Sequence, residues 1–179
     1  LYNFAHDYFA KNKEKFKRFE SKKRLAEDNF VQPCEAPIAI VGMGRVGMGA
    51  YKALNTQVGK KVWGLDTDKD KVQWLIENDI QAYLGDAEDA DFWESMDLSK
   101  IELILLALPS VQDIMNITSQ IKRTNYQGKI AAIARYDDER MALESYGVDK
   151  VFNFYNEAGV GFAEESLGLI KPVQALKAN

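Results

Sequence analysis

A chain of 179 residues with 46% apolar residues has material for one globular core and an appendage. Its 23 basic and 27 acidic residues leave a net charge of −4, which argues against a nucleic-acid partner. One cysteine, Cys34, excludes an internal disulfide framework and fits a reducing compartment, no apolar run reaches the ~18–20 residues that span a bilayer, and no signal-peptide pattern is present.

Charge is unevenly placed. Residues 1–28 carry eight Lys/Arg and five Asp/Glu, so a basic segment of net +3 leads an acidic remainder of net −7. Tyr2, Phe9 and Phe16 recur every seven residues there, with Ala5 and Phe19 on adjoining rows. This predicts a basic amphipathic helix over 1–30 whose aromatic stripe must be covered by its own domain, a second copy or a partner. Pro33 and Pro37 mark an extended linker containing Cys34 and Glu35. The expected division is an N-terminal helix and linker over 1–35 and a globular domain over 36–179; the start at Leu1 is what an excised piece of a longer protein would show.

From Ile38 strands and helices alternate. The pattern predicts strands over 38–43, 61–65, 80–84, 103–108, 129–134 and 151–154. Helices are expected over about 45–57, 68–78 (capped by Asp68), 89–95, 111–124 (capped by Ser110), 137–146 (ended by Gly147) and 157–170. The run Leu103-Ile104-Leu105-Leu106-Ala107-Leu108 reads as a parallel strand covered on both faces. Six strands with right-handed helical crossovers make an α/β fold, a Rossmann-like doubly wound parallel sheet.

The motif with chemical content is Gly42-Met43-Gly44-Arg45-Val46-Gly47, between the first strand and the first helix, with Asp66 closing the second strand about twenty residues on. Gly42 permits the tight turn, Gly44 lets backbone approach a phosphate, and Gly47 lets the helix pack on the strand. Unpaired N–H groups at the helix start face the anion. Asp66 would accept bonds from two ribose hydroxyls and repel a 2′-phosphate, which disfavours NADP. Arg45 is placed to reach a phosphate. Gly85-Asp86 lies at the same sheet edge, with Asp86 a candidate for an adenine pocket, and Ala107-Leu108-Pro109 is expected to form the far wall.

Other patterns are set aside. Asp66, Asp68, Asp70 and Glu77 hold calcium-loop positions, but Lys71 stands where a glycine is needed and a strand, not a helix, precedes them. Tyr146 and Lys150 have a dehydrogenase spacing, but Gly147 separates them. His6 reads as a surface residue, and Cys34 has no partner nearby in sequence. Nothing near the sheet edge supplies an acid–base set.

Together with Leu65-Asp66-Thr67-Asp68, Gly85-Asp86-Ala87 and Ile133-Ala134-Arg135-Tyr136, the glycine motif resembles the TrkA-N, or RCK (regulator of potassium conductance), domains. The likeness covers about residues 36–155 and is strongest to the cytosolic domain of Kef-type glutathione-regulated potassium-efflux systems. It implies a non-enzymatic regulator that binds AMP, NAD(H) or ATP, forms a homodimer, and gates an ion pathway in a membrane transporter domain outside this chain, at the cytoplasmic face of the inner membrane. By motif match, Gly42, Gly44, Arg45, Val46 and Gly47 surround the phosphates, Asp66 and Thr67 hold the ribose, and Asp86 and Ala87 form the adenine side, with Met43, Asp68 and Gly85 counted among the cofactor-binding residues. Arg135 matches an arginine near the ligand and dimer cleft. Residues 151–157 do not match the glutathione-sensing region. A dimer contact is expected through 157–170, where Val160, Phe162, Leu167 and Ile170 need cover. The competing reading is a small NAD-dependent oxidoreductase or a detached cofactor-binding domain.

Overall fold

The structure, a computed structural model, describes residues 36–169. The helix expected over 1–30, the linker with Cys34 and the end of the last helix at Ile170 lie outside them. The described residues comprise β1 (Ile38–Val41), α1 (Arg45–Val58), β2 (Val62–Asp66), α2 (Lys69–Glu77), β3 (Ala82–Leu84), α3 (Ala90–Glu94), a 3-10 turn (Leu98–Lys100), β4 (Leu103–Leu106), α4 (Val111–Arg123), β5 (Lys129–Ala134), α5 (Asp137–Tyr146), β6 (Lys150–Asn153) and α6 (Phe154–Leu167). The six strands form one parallel sheet in the order β3-β2-β1-β4-β5-β6. This is the doubly wound arrangement expected from the alternation, with its switch point between β1 and β4.

The caps agree with their residue chemistry. Asp68 accepts from the Lys71 N–H and Ser110 from the Asp113 N–H, each satisfying one orphan donor of a helix start. Gly147 ends α5 in the left-handed region. β1 stops two residues early because Gly42 turns the chain at φ +88°, and Met43 then folds back into the core at 2% exposure. The last strand and helix also move. Asn153 caps α6 by accepting from the Asn156 N–H, so the helix starts at Phe154 and not near 157.

Burial separates the two halves of the sheet. Every residue of β2 is buried. In β4, Ile104 and Leu106 are fully buried but Leu103 and Leu105 only in part, and in β6 Lys150 and Phe152 are exposed. The expectation that β4 is covered on both faces is therefore corrected. Right-handed crossovers put α1 and α2 on one face beside β1–β3 and α3, α4 and α5 on the other, and this leaves the first face open over β4–β6. There an apolar groove of about 720 Å3 runs from Val46 and Ala50 past Leu105, Ala131 and Ile133 to Phe152 and Phe154. Helix α6 has no buried residue; Val160 and Phe162 stand 47% and 77% exposed.

Candidate functional site

The carboxyl ends of β1 and β4 lie side by side at the switch point, Ala107 donating its N–H to the Val41 carbonyl at 2.8 Å, and the glycine turn follows β1 there. Gly42 donates its N–H to the Leu65 carbonyl at 2.8 Å. A Cβ there would fall 2.8 Å from Leu108 Cδ2 and 2.9 Å from the Ala107 oxygen, so both conformation and space require glycine. Gly44 is the N-cap of α1, with no side-chain cap, and a Cβ on it would meet nothing within 4 Å. The helix thus opens with uncapped N–H groups toward an unobstructed edge, the arrangement that receives an anion. Arg45 beside it is exposed and Val46 half-buried. Gly47 is buried against the turn: a Cβ on it would lie 1.9 Å from the Gly42 oxygen.

Asp66 ends β2 at 8% exposure. Its Oδ2 accepts the Met43 N–H at 2.9 Å, its Oδ1 accepts the Asp68 N–H at 3.0 Å, and the Lys71 ammonium reaches both oxygens at 3.0 and 3.1 Å. Burial alone would raise its pKa. The bonds from Asp68, Lys71 and Met43 outweigh that and hold it below the ordinary carboxylate value, so the group is ionised in the fold.

A cleft of about 180 Å3 opens beside this carboxylate, lined by Gly42, Asp66, Thr67, Gly85, Asp86, Ala87, Glu88, Leu108 and, from α4, Asp113 and Ile117. Thr67 is exposed at its rim. Gly85 donates to the Asp66 carbonyl at 3.1 Å. Asp86 is exposed and accepts the Glu88 N–H, and the carbonyl of buried Ala87 receives the Trp93 indole N–H at 2.7 Å. Met43 contributes its backbone only, and Asp68 is engaged as the α2 cap. Ala107 borders the apolar groove, Pro109 is exposed, and Arg135, at the end of β5, pairs with Glu139 at 2.7 Å.

Residues absent from the sequence reading are Glu88, in the loop after β3, Asp113 and Ile117, which the α4 crossover brings over the cleft, and Lys71 in its role at Asp66. The only sequence signal for Lys71 was its place in the first turn of a helix that starts just after the acid. The cleft has a clear polarity. Its wall is acidic, with Asp66, Asp86, Glu88 and Asp113, whereas the glycine turn presents N–H groups. A molecule with hydroxyl and amino donors at one end and an anion at the other fits that gradient.

Fold and edge together define a Rossmann-type domain on the nucleotide-binding plan. The chain belongs to the TrkA-N domain family, whose match covers residues 38–154. It is 30% identical over 135 residues to the glutathione-regulated potassium-efflux system protein KefC of Escherichia coli O157:H7 (strain EC4115), over 74% of this chain and 22% of that protein. The chain thus spans under a quarter of that relative's length. The fold is shared with the NAD(P)-binding domain of an exopolyphosphatase-related protein from Archaeoglobus fulgidus (TM-score 0.67, 20% identity, 74% of this chain and 98% of that one). It is shared also with the Shewanella denitrificans Kef C-terminal domain in its AMP-bound form (TM-score 0.61, 21% identity, 75% and 81%). Among the described residues no helix is long and apolar enough to cross a membrane.

Proposed function

We propose that this chain is a nucleotide-sensing regulatory domain of a potassium-efflux or related cation transport system, acting without catalysis of its own at the cytoplasmic face of the inner membrane. The observation that carries the reading is one shared edge: the glycine turn, whose Gly42 lines the cleft together with the ionised Asp66, leads directly into the uncapped start of α1. The phosphate lies at Gly42, Gly44, Arg45, Val46 and Gly47, the ribose at Asp66 and Thr67, and the adenine beside Gly85, Asp86 and Ala87, walled by Leu108. AMP and NAD(H) are the ligands of choice, with ATP a third. The AMP-bound Kef domain and the NAD(P)-binding domain support the first two, and KefC supports the transport system.

Calorimetry with AMP, NADH and ATP tests this, and at least one must release heat on binding; silence from all three with folded protein sinks the reading. Gly44→Ala sharpens the test. Its Cβ has open space in the fold, so stability should fall by no more than about 1 kcal/mol for the poorer N-cap. The methyl would stand where the phosphate approaches, so affinity should fall at least about tenfold, or ~1.4 kcal/mol. Equal affinity would remove the phosphate from the turn.

A homodimer supplies what the monomer leaves open. The apolar groove over β4–β6 and the bare α6 both need cover, and exposed apolar surface of this extent marks an interaction site. Ligand control then requires that nucleotide bind one dimer arrangement better than another, since equal affinity would shift nothing. Val160→Asp with Phe162→Asp should convert the dimer to monomer in sedimentation velocity and leave the circular dichroism spectrum unchanged; an unaltered sedimentation coefficient would clear α6 of the contact.

A further inference from the structure

Asp66 is already full. An ionised carboxylate offers about four lone-pair sites, and four contacts take them: Met43 N–H on Oδ2, Asp68 N–H on Oδ1, and the Lys71 ammonium on each oxygen. A ribose diol would arrive to find no acceptor vacant. The four contacts differ in how easily they can leave. The Met43 N–H belongs to the turn anchored by Gly42 on Leu65, and the Asp68 N–H precedes the helix that Asp68 itself caps. Neither can withdraw without undoing the site. Lys71 is held at its backbone by the same cap, but its side chain is a flexible stem with a side-chain exposure of 37%, reaching back over the carboxylate from solvent.

We infer that Lys71 is an internal stand-in for the ribose: its ammonium sits on both oxygens of Asp66 and must swing out when a nucleotide's 2′- and 3′-hydroxyls bind. The inference rests on the ribose assignment proposed above. While it sits there, the ammonium spares a buried carboxylate from standing with unpaired acceptors. On binding, the diol exchanges for the lysine, so the hydroxyls contribute less affinity than their hydrogen bonds alone would supply. Lys71 is thereby a positioning residue that sets the threshold of the site, and the released ammonium adds positive charge near the anionic ligand.

The test compares AMP with 2′,3′-dideoxy-AMP, measured by calorimetry on wild type and on Lys71→Met, which has similar length and no donor. Both ligands carry the same phosphate, so the loss of the lysine's charge acts alike on each. Their affinity ratio on one variant isolates the diol, and any loss of folded protein cancels. The advantage of AMP over the dideoxy compound should be about a hundredfold in wild type and should rise about tenfold further in Lys71→Met, the further rise being equivalent to about 1.4 kcal/mol. The same ratio in both proteins overturns the exchange while leaving the nucleotide site intact. Wild type that binds neither compound, nor NADH, overturns the nucleotide reading itself and the exchange with it.

Discussion

Asp66→Ala is expected to remove measurable AMP or NADH binding and to weaken the fold at the same time. The two effects have separate origins. Each ribose hydroxyl bonded to a charged acceptor contributes about 1.5–3 kcal/mol, so losing both lowers affinity by a hundredfold or more, since each 1.4 kcal/mol is about tenfold. The fold loses the acceptor that joins the glycine turn to α2. The Met43 N–H is left buried without that partner, at a cost of about 1–3 kcal/mol. Asp66→Asn separates the effects, because the amide oxygen still serves one N–H while the charge is gone; it should recover most of the thermal midpoint and little of the affinity. Full affinity in Asp66→Ala would refute the ribose assignment.

The same group gives a pH signature. Its folded pKa lies below the ordinary value of 3.8, so its contribution to stability is complete above that value and is lost as pH falls through the lower, folded one. The wild-type midpoint should therefore drop more steeply below about pH 4 than that of Asp66→Ala. Parallel curves would mean that the bonds at Asp66 contribute nothing to folding.

Why part of this was legible in sequence and part was not follows from the range of each interaction. The turn at 42–47 and the acid at 66 lie within one βαβ unit, where spacing nearly fixes geometry, and the structure places them as read. Caps at Asp68 and Ser110 are local and were equally readable. The start of α6 was missed because Phe154 and Tyr155 suit a strand, and only the Asn153 side chain bonded to the Asn156 N–H turns them into a helix. The half-open state of β4 was hidden because an all-apolar run looks alike whether a helix, a second copy or solvent covers it. Asp113 and Lys71 enter through the direction of a crossover and the reach of a flexible side chain, and neither leaves a periodic trace.

Gly47 carries the largest expected effect on the fold. Its missing Cβ would lie 1.9 Å from the Gly42 oxygen, 3.0 Å from that residue's carbonyl carbon and 3.4 Å from Ile40 Cγ2. Backbone is the obstacle, not a side chain that can rotate away. Gly42 cannot retreat, because its N–H is bonded to Leu65 and its far side meets Ala107 and Leu108. Relief must come from α1 lifting off β1, which opens the core around Met43 and Tyr51. Overpacking of this kind costs about 3 kcal/mol or more, against a total stability of about 5–15 kcal/mol for a domain. Gly47→Ala should lower the thermal midpoint by roughly 10 °C, at about 3–4 °C per kcal/mol for this size. Nucleotide binding should fall with it, since a lifted α1 carries its N–H groups away from the phosphate. Gly44→Ala, three residues earlier with open space around its Cβ, should stay near the wild-type midpoint while losing ligand. If both variants melt alike, the close packing of α1 on the turn is not what makes Gly47 a glycine.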